Sequence, residues 1–151
     1  MPDPKTIQRA RRDKRQGKSP STQAGEFVRE EIEDIRSGKH GARSTKQAIA
    51  IGLSKARRAG VDLPPPRAGT AGERVRKRAK RDLAAGRSGT SRRPSRRRSQ
   101  ATTRALQREG SAAASSEALA RQARGAASRR GAASRRSSAR KAARTRSRRR
   151  R

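Results

Sequence analysis

The chain has 151 residues, of which 44 are lysine or arginine and 12 are aspartate or glutamate, and its formal net charge is +32. Hydrophobic residues make up 28% of it, with one Phe and no Tyr or Trp, whereas ordinary globular domains contain about 45–50% apolar residues. So few large apolar groups cannot offset the entropy of ordering the whole chain. We therefore predict a mostly disordered protein with a small all-α module.

Missing residue types exclude several kinds of site. Without cysteine the chain can form neither a disulfide nor a thiolate zinc site, and the single His40 cannot build a histidine cluster. Nucleophilic catalysis needs a base beside the nucleophile, and His40 lies next to Gly41 in a segment with no sign of burial. We predict no catalytic residue, no metal ligand, no cofactor and no enzymatic activity.

Hydropathy gives no reason to expect a membrane protein. The longest apolar run covers only residues 48–53, whereas a membrane-spanning helix needs about 20 apolar residues. No signal-peptide pattern opens the chain. We expect a cytoplasmic protein with no membrane partner.

The charge divides the chain into four segments. Residues 1–66 carry a net charge of +7 and residues 67–151 a net charge of +25, with the boundary at the three prolines 64–66. Three consecutive prolines cannot continue a helix and favour an extended spacer. The predicted segments are a basic N-terminal arm (1–24), a helical hairpin (25–63), the proline spacer (64–66) and a disordered tail (67–151).

The first helix of the hairpin is predicted over residues 26–36. Val28, Ile32 and Ile35 recur at the spacing of one helix face. Glutamates lie toward its N-terminus and Arg36 at its end, which is the arrangement that the helix dipole favours.

The second helix is predicted over residues 45–59. Ser44 and Gln47 match a capping box at its start, and Gly60 followed by Val61 matches a Schellman motif at its end. Its apolar face is broad and has basic margins. We interpret the two helices as a hairpin of the size that usually needs a partner, which makes a homodimer possible. A helix-turn-helix is the weaker alternative, because a recognition helix presents polar groups to base edges.

The tail is a low-complexity sequence of Arg, Ala, Ser and Gly in which GAASRR occurs twice in succession, at 125–130 and 131–136. We expect Ala-rich pieces such as 73–85 and 112–124 to stay coil until phosphates neutralise the arginine repulsion. The tail holds 26 Arg and 3 Lys, and a guanidinium can hold phosphate oxygens through two parallel hydrogen bonds. The residues predicted to contact nucleic acid are Arg92, Arg93, Arg96, Arg97, Arg98, Arg129, Arg130, Arg135, Arg136, Arg148, Arg149 and Arg150, with a secondary patch of Lys46, Lys55, Arg57 and Arg58.

We therefore predict sequence-independent binding and compaction of duplex DNA. Proteins that bind single-stranded nucleic acid stack its bases on aromatic side chains. Phe27 is the only Phe, Tyr or Trp in this chain. One alternative is an RNA-associated protein, for example one bound to ribosomal RNA, because arginine-rich segments also bind structured RNA. Another is a protein-interaction module with a solubilising basic tail.

The run from Ser44 to Gly60 resembles the signature S-x-x-QAIAIGLSxARxxG of a family of small, basic, uncharacterised bacterial and phage proteins. This resemblance implies a bacterial source. Together with the predicted DNA binding, a bacterial source leads us to expect a nucleoid-associated location. The tail is similar in composition to bacterial histone-H1-like proteins and to protamines, which implies DNA compaction.

Overall fold

The computed structural model describes residues 2–89 and 95–149 and forms seven α-helices and one 3-10 turn there, with no β-strand in those ranges. The α-helices are α1 (Pro4–Arg15), α2 (Pro20–Arg36), α3 (Thr45–Arg58), α4 (Glu73–Ser88), α5 (Arg96–Gln107), α6 (Ser116–Ser128) and α7 (Ala132–Arg149), and the 3-10 turn is Ala112–Ala114.

The prediction of a mostly disordered chain with a two-helix hairpin is wrong, because 73% of the described residues are helical. Segments 73–85 and 116–124 of the basic tail, predicted to be coil on their own, are helical. Alanine and arginine both have high helix propensity, and consecutive helix hydrogen bonds form within one segment without a large apolar core. Counting bulky residues therefore underestimated the order of this chain.

The chain forms two compact units, Met1–Ser115 and Ser116–Arg151. In the first unit α2 packs against α1 and α3, α4 packs against α3, and the 3-10 turn contacts α2 and α3. The N-terminal arm and part of the basic tail thus belong to the same unit as the predicted hairpin.

The core of the first unit is built mainly from small side chains. Phe27 is its one large aromatic group and is 1% exposed, and Ala10, Ala24, Ala56 and Val61 are buried around it. The helix backbones come close together where side chains are this small. A Cβ built on Gly52 of α3, for example, would lie 2.7 Å from the Cα of Val28 in α2. Close packing thus replaces the bulky side chains that the sequence lacks.

Helix α3 has the ends that the sequence predicts. The Ser44 hydroxyl caps it by accepting a hydrogen bond from the Gln47 amide (3.2 Å). At its end Gly60 adopts a positive φ of 88°, and the Val61 amide donates to the Ala56 carbonyl (3.1 Å). These are the Schellman interaction and the Ser44 half of the predicted capping box. The Gln47 side chain does not complete the box, because its Oε1 accepts a hydrogen bond from the Arg43 amide (2.9 Å) and not from the Ser44 amide.

Helix α2 begins earlier than predicted and lies on α1. Its N-cap is Ser19 and its first residue is Pro20, a pairing favoured at helix starts. The N-terminal arm forms α1, whose inward face carries the buried Thr6, Ala10 and Asp13. The apolar surface of the predicted hairpin is therefore covered in part by this chain's own α1.

Residues 106–114 fold back over the open end of α2 and α3, and we call them the return segment. Ala114 is fully buried and Ala113 is 9% exposed. Four hydrogen bonds hold this segment: Gly41 N–H to Leu106 O (2.9 Å), Ala42 N–H to Gly110 O (3.2 Å), Thr45 Oγ1 to Ala113 O (2.7 Å) and Arg36 Nε to Ala114 O (2.8 Å).

In the second unit α6 buries no side chain, and residues 132–147 of α7 are all exposed. Its polar and basic side chains face solvent, so its helicity rests on local hydrogen bonds and propensity.

Candidate nucleic-acid interface

Most basic side chains in the described part of the chain after residue 66 are exposed and lack acidic partners. In the described range from residue 67 to 147, Arg76 pairs with Glu73 (2.9 Å) and Arg87 with Asp62 (2.7 Å). The other lysines and arginines of the described residues 67–89 and 95–147 form no ion pair, and all of them are exposed. A large positive charge is thus left for a partner outside the chain.

The acidic side chains, by contrast, are mostly engaged within the first unit. Asp13 binds Lys18 (2.6 Å), and Glu26 binds Arg9 of α1 (2.6 Å). All twelve acidic residues are described. Only the side chains of Glu33 and Glu117 neither accept a hydrogen bond nor form an ion pair. Most of the negative charge is therefore engaged in hydrogen bonds and ion pairs that stabilise the first unit.

Helix α4 presents an ordered row of positive charges. Arg74, Lys77, Arg78 and Arg81 follow the i, i+3, i+4, i+7 spacing that places residues on one helix face. All four are exposed and unpaired in the described structure, and we call them the basic stripe. These four residues are not among the predicted phosphate-binding residues, although their spacing is visible in the sequence.

The predicted phosphate-binding arginines lie on several elements. Arg96, Arg97 and Arg98 form the exposed first turn of α5, Arg129 and Arg130 lie exposed between α6 and α7, and Arg135 and Arg136 are exposed on α7. Arg148 and Arg149 end the α7 backbone. Arg92, Arg93 and Arg150 lie outside the described residues.

The predicted secondary patch is split between surface and interior. Arg57 is 6% exposed and donates from Nε to the Leu63 carbonyl (3.1 Å) and from Nη2 to the Pro64 carbonyl (3.2 Å). Burial lowers the pKa of Arg57, and the nearby Asp82 opposes that effect. Arg58 is half exposed, and Lys46 is exposed. Through its two hydrogen bonds, the buried Arg57 side chain therefore holds residues 63 and 64, which follow α3, in place.

Lys55 is engaged by carboxylates inside the unit. Its Nζ lies 2.7 Å from Glu31 Oε2 and 3.7 Å from both Glu30 Oε1 and Asp34 Oδ2. The Glu31 side chain is fully buried, while Lys55 is 17% exposed. Phosphate could approach Lys55 only by competing with three carboxylates.

His40 lies at the edge of this carboxylate cluster, its Nε2 3.5 Å from Glu31 Oε1. Glu31, Asp34 and His40 bring ligand atoms within 4.8 Å of one another, which is close enough to surround a metal ion. The Lys55 ammonium already supplies a cation there, so the cluster is an ion-pair network that joins α2, α3 and the loop between them. No local pattern in the sequence indicates that these distant residues lie together.

In the described ranges, no helix combines the length and the apolar composition that crossing a membrane requires. Comparison with protein families shows that residues 11–67 are similar to a family of unknown function (DUF6496). The matched segment runs from within α1 to just beyond α3 and includes residues 44–60. No curated protein and no solved structure matches the chain.

Proposed function

We propose that this protein binds duplex DNA without sequence preference and compacts it, as a nucleoid-associated protein of the bacterial cytoplasm. The observation that carries the proposal is the separation of charge. Most acidic side chains are engaged in the first unit, whereas the described basic side chains after residue 66, apart from Arg76 and Arg87, are exposed and unpaired. Phosphate contacts from such side chains bind any duplex, because phosphates carry no sequence information.

The arrangement of aromatic and polar groups supports backbone binding over base reading. The one aromatic ring, Phe27, is buried in the core and is not available for base stacking. The basic stripe of α4 consists of Arg and Lys, whose side chains contact phosphate oxygens in protein–DNA complexes.

The distribution of charge around α7 supports compaction. At 100° per residue, Arg135, Arg136, Arg140, Lys141 and Arg144 spread over most of the helix circumference. A helix with cations on opposite sides can contact two duplexes at once, which is the geometry that bridging requires.

A salt titration tests the binding proposal. We expect the logarithm of the association constant for a short duplex to fall linearly with the logarithm of salt concentration, with a slope steeper than about −5 for six or more phosphate contacts. Two duplexes of equal length and unrelated sequence should bind with equal affinity. A nearly flat salt dependence, or a strong preference for one sequence, would overturn the proposal.

A bridging assay tests compaction separately. One duplex is immobilised, and the recovery of a second, labelled duplex is measured as full-length protein is added. We expect recovery at protein concentrations that saturate the first duplex, and no recovery would refute bridging.

RNA association is tested by competition. Structured RNA and duplex DNA are compared as competitors at equal nucleotide concentration. Displacement by RNA at a far lower concentration would favour the RNA-binding alternative, because arginine-rich segments also recognise folded RNA.

A further inference from the structure

The two faces of helix α4 differ in composition and in exposure. One face carries the basic stripe, and the opposite face carries Ala79 and Gly86, which are directed toward α3. Its two acidic residues are engaged, Glu73 with Arg76 (2.9 Å) and Asp82 with the Ser54 hydroxyl (2.7 Å). The arc of the helix that the basic stripe occupies therefore carries four cations and no acidic side chain, and the exposed Glu73 beside it is paired with Arg76.

The inner face of α4 fixes the position of this helix within the first unit. Ala79 is 4% exposed, and a Cβ on Gly86 would lie 1.9 Å from the Arg57 carbonyl oxygen, so the two backbones are in close contact. The Ser54 hydrogen bond and the Arg87–Asp62 ion pair (2.7 Å) add polar links to the first unit. The stripe is thus carried by a helix packed on a core, whereas α7 has only exposed side chains over residues 132–147.

The dimensions of this helix suit the major groove of B-form DNA. An α-helix with its side chains is about 10–12 Å wide, and the major groove is about 12 Å wide and admits one. The stripe from Arg74 to Arg81 is about 10 Å long at 1.5 Å per residue. This length equals the rise of about three phosphates along one strand.

The same dimensions disfavour double-stranded RNA. The major groove of an A-form helix is deep and too narrow for side chains to read. A packed basic helix should therefore distinguish the two duplexes by groove shape, although both carry the same phosphate charge.

We infer that the basic stripe of α4 is the docking element of this protein, which enters the major groove of B-form DNA and contacts its phosphates. The inference rests on the proposed function and deepens it. The partner is double-stranded DNA of any sequence, and the other exposed arginines add contacts that depend on charge alone.

Two full-length variants with equal charge loss test the inference. Each replaces three arginines and one lysine with glutamine, which has good helix propensity. The α4 variant is Arg74→Gln, Lys77→Gln, Arg78→Gln and Arg81→Gln, and the matched α7 variant is Arg136→Gln, Arg140→Gln, Lys141→Gln and Arg144→Gln. Circular dichroism and thermal unfolding of both variants are compared with those of the unaltered protein.

Affinity is measured by fluorescence anisotropy at one salt concentration, with a DNA duplex and an RNA duplex of the same sequence. We expect the α4 variant to lose about tenfold more affinity for the DNA duplex than the α7 variant, because it loses oriented contacts as well as charge. We also expect the unaltered protein to prefer DNA over RNA, and the α4 variant to lose that preference.

The outcomes separate this inference from the proposed function. Equal losses in the two variants with unchanged folds, or equal binding of DNA and RNA by the unaltered protein, would overturn the inference while leaving salt-dependent binding in place. Failure of the unaltered protein to bind any duplex would overturn the proposed function. If the α4 variant unfolds, Arg74→Gln/Arg78→Gln is compared with Arg140→Gln/Arg144→Gln by the same criteria.

Discussion

The ammonium of Lys55 in α3 lies 2.7 Å from the carboxylate of Glu31 in α2, whose side chain is fully buried. An ion pair in this position connects the two central helices of the first unit. It also gives Lys55 an internal partner, so a lysine on the margin of a predicted apolar face belongs to the interior of the fold.

Removal of this lysine should destabilise the protein. We expect Lys55→Met to lower the free energy of unfolding by about 3–5 kcal/mol, because it leaves the Glu31 carboxylate buried without its cation. Urea denaturation measures the change. The exposed Lys46 of the same helix provides the control, and Lys46→Met should change stability by less than about 0.5 kcal/mol.

The double variant Glu31→Met/Lys55→Met should recover much of the lost stability, since a well-packed apolar pair often replaces a buried ion pair at little cost. DNA affinity of Lys55→Met should equal that of the unaltered protein when both are folded. A large loss of affinity would instead make Lys55 a phosphate contact.

Close packing between α2 and α3 can be tested at a glycine. Gly52→Ala places a methyl group 2.7 Å from the Cα of Val28, and such overpacking costs about 1–3 kcal/mol. Gly25 in α2 is the matched control, because its Cβ would meet nothing within 4 Å. Gly25→Ala should stabilise the protein by about 0.5–1 kcal/mol. Thermal unfolding of both variants measures this opposite pair of effects, and stabilisation by Gly52→Ala would contradict the packing.

The hydrogen bond from Thr45 to the return segment predicts a local effect. Thr45→Val leaves the buried Ala113 carbonyl without its donor, which costs about 1–3 kcal/mol. We expect faster hydrogen exchange at the Gly41 and Ala42 amides, which donate to the same segment. Thr102→Val is the control, because the Thr102 hydroxyl binds a carbonyl of its own exposed helix. Unchanged exchange at both amides would show that the segment does not depend on Thr45.

Adjacent arginines at the end of α3 should respond differently to the same substitution. Arg57→Lys removes the guanidinium that binds two carbonyls at once, and hydrogen bonds from charged groups contribute about 1.5–3 kcal/mol each. Arg58→Lys should cost less than about 0.5 kcal/mol, because Arg58 is half exposed and lies 3.9 Å from Asp82. Chemical denaturation of the two variants distinguishes the roles, and equal costs would refute them.

Local patterns in the sequence predict α3 well and the rest of the fold poorly. The Ser44 cap and Gly60 act within a few residues, so the pattern contains the whole interaction. The first turns of α2 were missed because Gly25 and the polar residues before it obscure the apolar spacing, although Ser19 and Pro20 mark its start. Helix α1 buries Thr6 and Asp13 beside one alanine, a face that no apolar count would detect.

The candidate site was likewise predictable only in part. Its exposed arginines follow from composition, because unpaired charge in such excess must remain on the surface. The internal roles of Lys55 and Arg57 depend on partners in other segments, and spacing within α3 does not contain that information. The basic stripe of α4 was visible as a spacing, but its fixed position depends on the close approach of Gly86 to Arg57.

The return segment imposes an order of events on synthesis at the ribosome. The acceptor for the Thr45 hydroxyl lies 68 residues later in the chain, and at roughly 5–20 residues per second that distance takes about 3–14 s to translate. Throughout this interval the end of α2 and the start of α3 lack the return segment that covers them in the folded protein. The second unit, which carries 14 of the 44 lysines and arginines and a single acidic residue, is translated only after the residues that close that end, so its net charge of +13 is added to a first unit that can already fold.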